Sequence, residues 1–346
     1  MTSTAGTPVV ARGPAIARAL VDIGRELEWA RTGSVPGVSV QRHARPPGAP
    51  ETTAPRCLFV PGRFATALGY TDDPDRDIRL YLAAQGVEVG SVEHPTDTPA
   101  GTGQLLVQLA SALGGLGDRR IVLIGHSMGG FLCYLAAILW PHRVAGIVAL
   151  DGGVISPCRG APETIGRVAA ELVDERAQRW ETVSARPSVL RSLAADVLAG
   201  DSGAVRSLAR VLAVASGSGD GCMVAPGTDP GTVKVAAAYL TGLRDTWSAL
   251  QSRQARLLAL AGPAEWPQRS VAGIQRSGIP VFAAFGTESG THRRARDRHT
   301  AVTADPNAEI CEVPGYGHLD VLFGPDVRRL IFQPVLRWLI ARGLPA

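Results

Sequence analysis

Lysine is almost missing. Lys234 is the only one in 346 residues, so arginine carries nearly all of the net charge of +4. With abundant alanine and glycine, this bias fits a GC-rich coding sequence better than a nucleic-acid partner, and no recognised nucleic-acid motif accompanies it. The densest basic cluster, residues 291–299 (THRRARDRH), reads as a solvated loop and helix face. Its open alternative is contact with an acidic carrier or an anionic group on a substrate. Long apolar runs are missing too: nothing approaches the ~20 residues that cross a bilayer. Residues 1–11 lack the charged start and apolar core of a secretory signal, so the expected location is cytoplasmic. The five cysteines, Cys57, Cys133, Cys158, Cys222 and Cys311, show no paired spacing. Three fall inside expected strands or helices, which fits reduced thiols rather than disulfides or a metal site; Cys158 and Cys222 lie in loops and stay open. No metal and no cofactor is expected.

What is present is organised around residues 121–130, IVLIGHSMGG. An apolar strand over 121–124 breaks into small residues around Ser127, then resumes as a helix over 131–139. Gly125-His126-Ser127-Met128-Gly129 is therefore a G-x-S-x-G junction between strand and helix. Its glycines permit a turn sharp enough to lift the serine hydroxyl above the strand ends, and the helix start turns backbone N–H groups toward an attached oxyanion.

The surrounding pattern is α/β. Apolar positions at helical spacing over 16–27 predict an N-terminal helix, followed by a short strand at 38–41 and a buried strand at 57–60 ending in Pro61-Gly62-Arg63-Phe64. Asp73-Pro74 predicts an N-cap and first helical residue, with a glycine stop at Gly86. A strand at 87–92, a helix at 102–113 and a strand at 144–150 that ends at Asp151-Gly152-Gly153 complete the alternation. Strands separated by helices imply a mostly parallel sheet wound with helices, with its working residues at the strands' carboxyl ends. Residues 154–275 change to helices alone, and the glycine-rich 216–231 reads as a mobile loop or lid. The sheet resumes at 280–285 and 308–313, and a closing helical segment begins at Gly324-Pro325 and is divided by Pro334. The organisation is thus a helical extension (1–36), a core (37–153 and 276–346) and a helical cap (154–275) over the serine, lined by Trp180 or Trp247 unless these are cap core.

A serine hydroxyl needs a base to take its proton, and the base needs a third group to orient it. His318 follows the last strand in a glycine-bearing loop, in the chain order serine, acid, histidine. His94 and His142 come too early in that order, and His126 packs behind the nucleophile. Asp151 and Glu288 compete as the acid; Asp151 is favoured because it ends a buried strand directly, whereas Glu288 lies on a glycine-bearing turn. Asp320, two residues from His318, fixes the loop. The expected oxyanion donors are the backbone N–H of Met128 and that of Arg63 or Phe64. The Arg63 side chain is then free to meet a carboxylate or phosphate.

With GHSMGG, VPGRF and GYGHLD, residues 55–153 and 276–342 resemble the α/β-hydrolase fold, and the H-L-D sequence resembles lipase-like members. The resemblance implies a Ser-His-acid triad without metal, and cleavage of an ester, thioester or lactone of a small acyl substrate. Two departures stand out: Pro61 replaces the usual histidine of the oxyanion loop, and the usual acid position after the penultimate strand lacks an aspartate. The alternatives are a non-hydrolytic enzyme of specialised metabolism on the same fold (acyl transfer, cyclisation or acetate elimination) and a non-catalytic binding protein.

Overall fold

The computed structural model describes residues 39–42, 56–62, 71–93, 102–116, 119–152, 187–214, 222–241, 278–289 and 308–343. The expected N-terminal helix, His94, Arg63, Phe64, Cys158, Trp180, Trp247 and the basic cluster at 291–299 lie outside them.

Seven strands are described: β1 (Ser39–Arg42), β2 (Arg56–Val60), β3 (Glu88–Glu93), β4 (Ile121–His126), β5 (Val144–Leu150), β6 (Val281–Gly286) and β7 (Ala308–Val313). They form one sheet in the order β1-β3-β2-β4-β5-β6-β7. Strand β1 runs antiparallel to β3, and every other pairing is parallel. Central strands β4 and β5 are buried along their whole length, as expected of parallel strands covered on both faces. Alternation then sends Val122, Ile124, Val148 and Leu150 into one apolar cluster, and Ile121, Leu123, Ile147 and Ala149 into the other.

Helices α1 (Ile78–Ala84), α2 (Thr102–Gly115) and α3 (Met128–Leu139) are the crossovers. Helix α1 starts later than the Asp73-Pro74 pattern predicts. Asp73 closes a separate turn, accepting from Arg76 N–H at 3.0 Å and, through its side chain, from Asp75 N–H at 2.8 Å. Asp77 is the helix cap, because its carboxylate takes the Arg79 N–H at 2.9 Å and, fully buried, also pairs with the Arg79 guanidinium.

Between β5 and β6 the described residues form α4 (Pro187–Leu198), α5 (Ser202–Val214) and α6 (Pro230–Thr241). Their buried residues Leu190, Leu208, Val233 and Leu240 join the same apolar cluster as Tyr316 and Leu319 after β7. Within the glycine-rich 216–231, the described residues 222–225 are bonded to the loop after β7, and Asp229 caps α6 through Thr232 N–H at 3.0 Å.

A short helix α7 (Asp320–Phe323) precedes the closing segment, which comprises a π-helical turn (Arg328–Phe332) and α8 (Gln333–Ala341). Pro334 stands in the first turn of α8. Having no N–H, it cannot bond the Leu330 carbonyl four residues back; the wide turn accommodates the ring, and the Cys311 thiol donates to that carbonyl at 3.6 Å.

Candidate active site

Strand β4 delivers Ser127 at its carboxyl end in a backbone conformation that serine rarely adopts, φ 53° and ψ −119°. Crowding holds it there. A Cβ on Gly125 would lie 2.4 Å from the Gly129 carbonyl, and one on Gly129 would lie 2.1 Å from the Val60 oxygen. Only glycine permits helix α3 to start this close to strands β4 and β2. Ser127 N–H donates to Leu150 O at 3.0 Å, so the turn is fastened to the neighbouring strand. Met128, half-buried, opens α3, whose first N–H groups have no partners within the helix. Gly62, after β2, comes close as well, a Cβ there lying 3.4 Å from Ser127 Cβ.

Because His126 pairs with Leu150 across β4 and β5, the next residues of the two strands, Ser127 and Asp151, emerge side by side. Asp151 is fully buried with φ 43°, and its N–H donates to Ala284 O at 2.7 Å. Its Oδ2 accepts from His318 Nδ1, and the same oxygen accepts the hydroxyl of Ser289. Of the two competing acids, Asp151 is therefore the one the structure brings to His318. Glu288 faces elsewhere: its Oε1 takes the Thr287 hydroxyl at 3.4 Å, and its backbone joins the Tyr316 carbonyl and the Cys222 N–H.

His318 is 16% exposed, and its backbone is held on both sides. Its N–H donates to Cys222 O at 2.9 Å, and its carbonyl accepts from His126 Nε2 at 3.0 Å. A carbonyl can only accept, so His126 carries its proton on Nε2, leaving Nδ1 buried without a partner among the described residues. Burial, then the neighbouring His318 ring 4.7 Å away, hold the His126 pKa well below the ordinary value and keep the ring neutral. Asp320 secures the loop through Oδ2, which accepts Gly317 N–H at 2.7 Å and Ala225 N–H at 2.6 Å. Burial pushes its pKa up to about 6, against the opposing pull of those two bonds. His142 is exposed in the turn entering β5, at the opposite end of that strand from Asp151.

A family model described as the alpha/beta hydrolase fold matches residues 90–188, the stretch that contains the Ser127 turn. Whole-chain similarity to solved structures agrees. A carboxylesterase of the thaumarchaeon Nitrososphaera gargenis is 16% identical, with 90% of this chain and 98% of that one covered at a TM-score of 0.57. This is an α/β-hydrolase-fold protein. An esterase of Thermogutta terrifontis (14% identical, 90% and 96% covered, TM-score 0.54) and the monoacylglycerol lipase of Paleococcus ferrophilus (15%, 89% and 100%, 0.53) have similar folds. No curated protein matches the sequence.

Within this α/β-hydrolase-fold chain, burial pushes the Cys57 thiol up to about 12 and raises that of Cys133 as well, so neither is a nucleophile at neutral pH. Among the described residues no group of three or more His, Cys, Asp or Glu side chains is placed to hold a metal ion, and no helix is long and apolar enough to cross a membrane. The feature invisible in the sequence is Ser289, one uncharged loop residue whose burial against Asp151 has no periodic or motif signature. Its only signal was the glycine-bearing turn after β6.

Proposed function

We propose that this chain is a serine hydrolase that cleaves an ester, thioester or lactone through an acyl-enzyme on Ser127. The observation that carries the reading is the bond from His318 Nδ1 to the buried Asp151 carboxylate, made at the strand end adjacent to the strained Ser127 turn. That bond leaves Nε2 as the nitrogen for the serine proton. Ser127 Oγ attacks the substrate carbonyl carbon as His318 Nε2 takes the hydroxyl proton, and the imidazolium so formed is stabilised by Asp151. Negative charge on the carbonyl oxygen meets the Met128 N–H at the start of α3 and a second backbone donor, which we assign to Arg63 or Phe64. Collapse of the tetrahedral adduct breaks the bond to the alcohol or thiol, which leaves with the proton from His318. Water then attacks the acyl-enzyme, gives its proton to His318, and releases the carboxylic acid as Ser127 recovers its hydrogen. The fold neighbours named as esterases and a lipase support this reaction class.

We assign residues 154–275 as a cap over the pocket, a reading supported by the bonding of residues 222–225 to the histidine loop. A small-molecule acyl substrate follows from the chemistry.

The test is a fluorophosphonate probe together with a panel of p-nitrophenyl esters. Wild type is expected to label and to turn over; Ser127→Ala is expected to lose labelling and to turn over roughly 10⁴-fold or more slowly while melting normally. Labelling of the alanine variant, or normal turnover by it, refutes the serine mechanism. Labelling of wild type without hydrolysis of any ester points instead to acyl transfer or elimination.

A further inference from the structure

Asp151 is fully buried, and only one of its oxygens is satisfied by the described residues: Oδ2 takes both the His318 Nδ1 proton and the Ser289 hydroxyl, while Oδ1 has no partner among them. A carboxylate in a dry site is oriented by the donors it has, because each is strengthened by the low local dielectric. Ser289 is fully buried as well, so its hydroxyl has no solvent to turn to.

Its mounting is firm. Ser289 N–H donates to Gly286 O at 3.0 Å, closing the turn after β6. That turn is tied to the loop bearing His318 by Thr287 N–H to Val313 O at 3.1 Å, Glu288 N–H to Tyr316 O at 2.9 Å, and Gly315 N–H to the Thr287 hydroxyl at 2.9 Å. Acid, base and Ser289 therefore come from three separate chain segments tied together by hydrogen bonds.

We propose that Ser289 is a positioning residue for the acid: its hydroxyl turns Asp151 Oδ2 onto His318 Nδ1, and position 289 itself lies within a carboxylate's reach of that nitrogen. The second part follows from the first, since two donors meeting on one oxygen must be close to each other. The inference rests on the triad reading above, and its test separates the two.

Values of kcat and KM for p-nitrophenyl acetate are to be measured for wild type, Ser289→Ala, Asp151→Asn, and the exchange variant Asp151→Asn/Ser289→Asp, with thermal melting of each. Ser289→Ala is expected to lower kcat about 10-fold with KM within about twofold, because a misaimed acid weakens the transition state rather than ground-state binding. In the exchange variant the introduced amide donates to the introduced carboxylate, which accepts from His318; kcat is expected to recover at least about 10-fold over Asp151→Asn. A wild-type kcat in Ser289→Ala, or a folded exchange variant no faster than Asp151→Asn, overturns the proposal. Should the exchange variant not fold, Ser289→Ala alone decides. Asp151→Asn at the wild-type rate is a different result, and it refutes the triad.

Discussion

Asp151 occupies a backbone conformation, φ 43°, that asparagine tolerates as readily as aspartate. Asp151→Asn should therefore fold normally, which makes it a clean probe of charge. Without the carboxylate the imidazolium loses its stabilising partner and the ring its correct tautomer, and turnover is expected to fall by up to about 10⁴-fold. Glu288→Gln removes a carboxylate whose described side-chain contact is Thr287 rather than His318, and is expected to stay within about threefold of wild type. Steady-state kinetics on one ester decide the matter: a crippled Glu288→Gln beside a healthy Asp151→Asn would reverse the assignment. The neutral His126 belongs at this scale too. A second cation beside His318 would oppose imidazolium formation, and burial prevents it.

At the scale of elements, the turn between β4 and α3 depends on close backbone approach, and two glycines in helices test this with opposite signs. In exposed Gly114 of α2 an added Cβ meets nothing within 4 Å. Gly114→Ala is expected to stabilise by about 0.5–1 kcal/mol through reduced backbone entropy. Gly129 is also helical, but its Cβ would press into the Val60 and Pro61 carbonyls at 2.1 and 2.6 Å. Gly129→Ala is expected to cost about 1–3 kcal/mol or more, and to lose activity because the start of α3 must shift away from Ser127. Urea titrations of the two variants measure both effects. Equal and favourable changes would mean that propensity, not packing, governs the turn.

For the whole molecule, stability is linked to pH through groups that clasp the histidine loop. Asp320 ionises near pH 6 in the folded chain against an ordinary value of 3.8. Between these values the folded state holds a proton that the unfolded state has lost, so stability falls as pH rises. His126 acts oppositely: its folded pKa is depressed below 6.5, so its contribution is present above that value and lost as pH falls. The two contributions oppose each other. Asp320→Asn removes one of them, and the variant is expected to gain about 2 kcal/mol on wild type between pH 4 and pH 7. Chemical denaturation across that range checks it; parallel profiles for variant and wild type would dismiss the role of Asp320.

Much of this architecture is written in local pattern. Hydrophobic period marks β4 and β5 as doubly buried strands and α3 as the helix after them, and the spacing of Gly125, Ser127 and Gly129 specifies the tight turn, because a side chain at either glycine collides within a few residues of itself or with the neighbouring strand. The placing of the α1 cap at Asp77 instead of Asp73 was less legible, since both aspartates carry capping chemistry and only the buried pairing with Arg79 selects one. Other features belong to the tertiary structure alone. That Asp151 and not Glu288 meets His318 depends on which strand end lies beside Ser127 and on where the turn after β6 points its side chains, distances that no sequence spacing encodes. Residues 222–225 lie within the glycine-rich 216–231, whose composition reads as a mobile loop or lid, yet they bond the histidine loop through main-chain groups that every residue carries alike. Ser289 is the sharpest case. Its hydroxyl acquires a role only when burial removes water and folding sets it against a carboxylate 138 residues away.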